Sequence, residues 1–274
     1  MRSIIIALLL IAFLPSTVAA QRTEFPADIC CNLVEPPYAV FGPVRSVLTV
    51  DRNASETFNT SVETYDQKGR RLELLEHSAG SPPEAPPGKL IRNDLKIIYA
   101  YDRRGKLIHK NYYDEQGSQY ETQEFSHDTK GRLSKETDHT VDASHVGGRP
   151  LTKRIYRYEP EQQTITVLTV DSRNESRPPQ VSKSVFSFNE AERSITETFY
   201  SDGSLERTKV SVFDDKGNLI KSTRSEANGS WDATYLYTYK FDRFGNWIER
   251  EKRVGPRGDL QMTTFRVISY YDDR

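Results

Sequence analysis

The chain has 274 residues and a formal net charge of −1, which leaves no global field to draw it to nucleic acid or to an anionic membrane. Apolar residues make up 36% and charged residues 28%, with 15 Tyr and 12 Phe. That mix suits a thin, well-solvated, strand-rich fold better than a thick globule.

Residues 1–20 read as a secretory signal peptide. Arg2 supplies the positive start, Ile4 to Leu14 form an unbroken apolar run of eleven, Pro15 breaks it, and Val18-Ala19-Ala20 precede the cleavage point. The run is too short for a membrane-anchoring helix, which needs about 18 apolar residues or more. The protein is therefore expected to be exported, to the periplasm or cell surface of a bacterium. Its only cysteines, Cys30 and Cys31, are neighbours. In an oxidising space they could bridge each other, link to another chain or tether the N-terminal segment, but two cysteines make no disulfide framework. Ala27-Asp28-Ile29 before Cys30 lacks the small-residue box of a lipoprotein. Residues 21–43 form an irregular N-terminal segment, and Val44 to Val50 read as the first strand.

From residue 44 to 274 one phrase recurs: an aromatic, Asp, two free positions, Gly, a polar or basic residue, then usually an apolar one. It reads Tyr101-Asp102-x-x-Gly105-Lys106-Leu107, Phe213-Asp214-x-x-Gly217-Asn218-Leu219 and Phe241-Asp242-x-x-Gly245-Asn246-Trp247. Tyr65-Asp66-x-x-Gly69-Arg70 and His127-Asp128-x-x-Gly131-Arg132-Leu133 are variants. Asp at the first turn position accepts from the backbone two residues on, and Gly at the fourth takes the left-handed conformation. Together they specify a type I turn closed by a glycine bulge, which makes a hairpin. The register pairs Tyr101 with Leu107, His127 with Leu133, Phe213 with Leu219 and Phe241 with Trp247. Tyr65 would face Arg71, so the register or buried face of the first unit is expected to differ.

The flanks alternate as strands do: Tyr235, Tyr237, Tyr239 and Phe241 on one face, Leu236, Thr238 and Lys240 on the other. Arg154 to Tyr158 and Val185 to Phe188 look like copies whose turns have lost Asp or Gly. The aromatic anchors recur at just under 30 residues on average, two strands per unit. The expectation is an all-β antiparallel up-and-down meander of about fifteen strands, curled or spiral. The last strand, with Asp272, Asp273 and Arg274, is expected at the sheet edge. Residues 81–87, 142–150 and 171–179, rich in Pro, Gly or Ser, read as surface loops.

The phrase resembles the YD repeats of the Rhs type, and Tyr200 to Glu206 resembles MORN-type variant hairpins. The resemblance covers roughly residues 45–274. It implies an antiparallel β-meander, and with it carbohydrate binding or surface contact. The chain is far too short for the toxin-enclosing shells that large Rhs proteins build.

No residues argue for catalysis. The five histidines show no metal spacing, and no Gly-x-Ser-x-Gly elbow or phosphate loop occurs. No cofactor and no metal are called for. Asp66, Asp102, Asp128, Asp214 and Asp242, with Gly69, Gly105, Gly131, Gly217 and Gly245, are assigned to turns. The best functional lead is the aromatic rows, with Tyr235, Tyr237, Tyr239 and Trp247 as candidate ligand contacts. The sequence points first to a non-enzymatic exported scaffold that binds a glycan or another envelope protein. A second reading is a hydrolase with its site in the 80–88 or 142–150 loops. A third is an outer-membrane β-barrel; Lys96, Lys153, Arg157, Lys209 and Lys240 within the strands, and a mean hydropathy of −0.68, count against an apolar outer band.

Overall fold

The computed structural model describes residues 40–53, 57–78, 94–141, 150–174 and 176–271. The signal-peptide stretch, Cys30 and Cys31, the 80–88 loop, most of the 142–150 loop and the last three residues lie outside them. The strands are β1 Val44–Arg52, β2 Thr57–Tyr65, β3 Arg71–Ser78, β4 Asp94–Tyr101, β5 Leu107–Tyr113, β6 Gln119–His127, β7 Leu133–Thr140 and β8 Pro150–Glu159. They continue with β9 Thr164–Asp171, β10 Gln180–Asn189, β11 Ser194–Ser201, β12 Ser204–Phe213, β13 Leu219–Glu226, β14 Asp232–Phe241, β15 Trp247–Val254 and β16 Asp259–Tyr270.

Every strand pairs antiparallel with its chain neighbours, and β16 pairs with β1, from Val44↔Tyr270 to Arg52↔Thr263. The meander is therefore as expected in kind, but it has sixteen strands and closes into a barrel instead of curling or spiralling open. Nor is β16 an edge. Strand twist and stagger accumulate around the sheet until its ends meet, and closure then satisfies both edges at once. A turn phrase fixes only one hairpin, so this cumulative geometry is not written in it.

The turns themselves are as read. In all five phrases the Gly N–H donates to the Asp carbonyl and the Asp N–H donates to the carbonyl after Gly, at 2.8–3.2 Å. The glycines have φ between +76° and +86°. The Asp carboxylate caps each loop: Asp102 Oδ1 accepts from Arg104 N and Lys106 N, each at 2.8 Å. The residue after Gly also has work to do. Arg70 and Arg132 donate through Nε to the turn Asp at 2.7 and 2.8 Å, and Asn218 does so through Nδ2 at 2.8 Å. In the turns that lost Gly, Gln163 and Arg193 hold the left-handed conformation, with φ of 51° and 50°.

All the predicted pairs form: Tyr101↔Leu107, His127↔Leu133, Phe213↔Leu219 and Phe241↔Trp247. Tyr65↔Arg71 forms in the same register, so the first unit does not depart after all. Arg71 fits because Glu63 lies 3.0 Å away and Tyr99 stands under its guanidinium, at 5.5 Å.

These pairs make a layer of large side chains on the inner wall at the rim where the phrase turns sit. On one side Phe125, Leu133, Tyr156, Ile165, Val167, Phe186 and Ile195 form a buried cluster, flanked by Leu107, Tyr158, Phe188 and Phe213. At the seam Val44, Val47 and Tyr65 form a second, with Ile268 and Tyr270 against it. Tyrosine hydroxyls stitch one unit to the one before: Tyr101 donates to Arg71 O at 2.7 Å and Tyr158 to Leu133 O at 2.8 Å. Tyr271 does the same across the seam, donating to Tyr65 O at 2.5 Å.

Candidate functional site: the barrel lumen

Alternation along each strand sends one set of side chains into the lumen and the other onto the outer wall. Above the apolar layer, toward the rim of the longer connections, the inner wall is polar and charged. A cavity of about 490 Å³ lies there, lined from β5 to β13. Its cationic side chains are Lys110, Arg154, Arg207, Lys209 and Arg224, against the acidic Glu136 and Glu197.

The acidic side of this cavity is a paired network in which Asp138 Oδ1 alone lacks a hydrogen bond. Glu136 is buried and accepts from Tyr156 Oη at 2.6 Å, Arg154 Nη1 at 3.1 Å and Gln123 Nε2 at 3.2 Å. Arg154 also reaches the buried Asp138 at 3.3 Å. Buried charges persist because they are paired and hydrogen-bonded in this way. The basic side is different. On β12 and β13, Lys209 stands directly opposite Arg224, and Arg207 opposite Glu226. Arg224 pairs with Glu226 at 2.7 Å, and Arg207 lies 4.2 Å over the Phe199 ring.

Tyr235, Tyr237 and Tyr239 all project into the lumen, in register with Val254, Lys252 and Arg250. They were expected on an open, exposed sheet face; closure turns that face inward. Tyr235 lies under Lys252, whose Nζ is 4.2 Å from the ring centroid. Tyr239 donates to Leu219 O at 2.8 Å and meets Trp247 edge-on, with centroids 6.1 Å apart. Trp247 is 4% exposed, and Arg266 covers its face at 3.6 Å. Of the four candidates Trp247 is buried, while Tyr235, Tyr237 and Tyr239 are each half-buried. The sequence alone assigns no role to the basic residues around them; the signal available was a cation in phase with an aromatic, as in Arg154-x-Tyr156-x-Tyr158 and Arg207-x-Lys209-x-x-x-Phe213.

The outer wall carries Lys96, Lys153, Arg157 and Lys240, as the sequence suggested, whereas Lys209 points inward. Lys96 pairs with Glu73 at 2.9 Å and Lys240 with Glu249 at 2.8 Å. His139 approaches Glu124 at 3.7 Å, also on this outer face. The 80–88 and 142–149 loops of the hydrolase reading lie outside the described residues, as does His145. Among the described residues no group of three His, Cys, Asp or Glu could hold a metal ion. No helix among them is long and apolar enough to cross a membrane, which says nothing of a barrel.

No protein-family model matches the sequence, and a search of curated proteins finds no match. Solved structures do match in fold. A porin-like protein from Bacteroides uniformis aligns over 84% of this chain and 99% of its own, at TM-score 0.52 and 12% identity. A porin-like protein from Bacteroides vulgatus aligns over the same shares at TM-score 0.51 and 10% identity. The chain thus shares its fold with porin-like proteins: a closed, sixteen-stranded antiparallel barrel.

Proposed function

We propose that the protein is an exported, porin-like envelope barrel that acts through its lumen, taking up a polar solute there. The observation that carries this is the closed sheet around a cavity of about 490 Å³ whose lining combines five basic side chains with aromatic ones. Pockets of this size, with a few convergent polar groups, are where small molecules bind. The test is access. With Cys30 and Cys31 replaced by Ser, Ser184→Cys on the lumen side should react with a small charged thiol reagent, and Thr196→Cys on the outside should react with small and bulky reagents alike. A folded Ser184→Cys protein that no reagent reaches would end the lumen reading.

The barrel's seat has two candidates, each favoured by its own observation. An outer-membrane seat is supported by the porin-like fold and by the even, up-and-down strand order. It is supported too by the rim asymmetry: phrase turns at one rim, with the β1 and β16 ends, and the longer connections at the other. A seat in the aqueous envelope is supported by the outer wall. Lys96, Lys153, Lys183 and Lys221 face outward within their strands, and an outward Lys at mid-bilayer costs about 2–4 kcal/mol. Release from envelope fractions by salt or carbonate marks the aqueous seat; release only by detergent marks the membrane seat. Both seats keep the lumen as the working surface.

A further inference from the structure

We propose that the basic inner wall from β12 to β15 binds an acidic saccharide. This rests on the lumen reading and names the class of solute it takes. Lys209 and Arg224 face one another in register on adjacent strands. Like charges so placed repel, and side chains directly opposite in a sheet come within about 4.5–5.5 Å at Cβ. Arg207 adds a third cation on the same wall; the local counter-charges are Glu226, paired with Arg224, and Glu197, directly opposite Lys209 on β11, so three cations meet two carboxylates before Lys252 is counted. An anion seated between Lys209 and Arg224 relieves that repulsion.

The arrangement selects a saccharide over a simple ion because of what stands beside it. Tyr235 and Tyr237 follow on β14, facing the same lumen, and Lys252 on β15 lies over Tyr235 at 4.2 Å. Two neighbouring strands of cations, a strand of tyrosines and a further cation thus follow one another from β12 to β15, across three inter-strand spacings or roughly 14 Å. That is wider than one inorganic anion can bridge. Sugar rings have apolar faces that pack on tyrosine, whose hydroxyl keeps a wet, hydrogen-bonding end. Acid groups borne on successive rings would meet the flanking cations as charge-assisted contacts.

The experiment is calorimetric titration of the mature protein with three probes: tetragalacturonate, an uncharged galactose tetramer and inorganic phosphate. Tetragalacturonate is expected to bind, more weakly as salt rises. Lys209→Gln with Arg224→Gln should weaken it about tenfold or more. Tyr237→Ala should weaken it while leaving any phosphate binding unchanged. Lys209→Gln alone removes both the like-charge contact with Arg224 and the opposite-charge one with Glu197, so that variant should fold about as stably as the parent and serves as the folding control. Equal binding of the uncharged tetramer would overturn the proposal, as would phosphate binding as tightly as the oligomer, or no binding of tetragalacturonate by folded protein. The thiol-labelling test separates the two levels. If Ser184→Cys is labelled and tetragalacturonate does not bind, the saccharide proposal falls and the lumen reading stands.

Discussion

Asn246 occupies the same repeat position as Asn218, yet the structure gives the two side chains different work. Asn218 turns back onto its own loop, with one bond from Nδ2 to Asp214 at 2.8 Å. Asn246 is 2% exposed and reaches the residues that lead into β1. Its Oδ1 accepts from Phe41 N at 2.6 Å, and its Nδ2 donates to Phe41 O at 2.8 Å and to Tyr270 Oη at 2.9 Å. The last unit has thus redirected a turn-capping residue to hold the barrel seam. A net intramolecular hydrogen bond contributes about 0.5–1.5 kcal/mol, so Asn246→Ala should cost about 2–4 kcal/mol and Asn218→Ala about 1. For a domain of this size the first corresponds to a fall in Tm of roughly 4–16 °C and the second to a few degrees. Thermal melts followed by near-UV circular dichroism, with both variants side by side, read the difference. Equal losses in the two variants would refute the reasoning, because the seam role would then add nothing to the turn role.

Three further outcomes are expected. Gly217 has φ of +85° and nothing within 4 Å of an added Cβ, so Gly217→Val should cost about 1–2 kcal/mol through backbone conformation alone; a chemical-denaturation midpoint equal to the parent's would contradict this. Ile165 is 2% exposed in the larger apolar cluster, and Ile165→Ala should cost about 2–5 kcal/mol in the same assay. The backbone N–H groups of Lys106 and Arg104 hold the Asp102 carboxyl below the usual range; at Asp66 and Asp128 burial works upward, but the bonds from Arg70 and Arg132 outweigh it. A depressed folded value gives stability that is present above the unfolded pKa of about 3.9 and is lost as pH falls through the folded one. The denaturation midpoint should therefore hold from neutral pH to about 5 and drop below about 4, less steeply in Asp102→Asn.

Local chemistry was the legible part of this fold. The Asp-to-Gly phrase set turn type, bulge and register at five hairpins because each depends on a handful of adjacent residues. A sixth turn of the same geometry, Asp114 to Gly117, sits at the opposite rim, with Gly117 at φ +79° and its N–H 3.0 Å from Asp114 O. Arg71 was the informative failure. As an isolated partner for Tyr65 it looks out of place, but Glu63 and Tyr99, on β2 and β4, both converge on it. Closure was not legible for the same reason on a larger scale: Ser46 meets Ser269, 223 residues on, at 2.6 Å, and no short window contains both.

Alternation told which residues share a face, but not which face is concave, and that choice decides where function lies. An open sheet would offer Tyr235, Tyr237 and Tyr239 to any surface partner; in the closed one they are reached only through the lumen. The outer wall carries Lys153, Lys183 and Lys221 with Thr166, Thr196 and Thr234, interspersed with exposed Leu48, Val181, Leu205, Leu236 and Val267. Membrane barrels place an apolar band and aromatic girdles outward and polar groups inward. Here the aromatic layer of Tyr101, Tyr158, Phe213 and Phe241 lines the inside, where it packs against Leu107, Ile165, Leu219 and Trp247. An outward lysine costs about 2–4 kcal/mol at mid-bilayer and about 0–1 near the interfaces, so Lys153 and Lys183, well inside their strands, weigh more against a membrane seat than Lys96 and Lys221, nearer strand ends. The fold is that of porin-like proteins, while the outer wall mixes lysines and threonines with exposed apolar side chains; the lumen is the surface that either seat leaves in use.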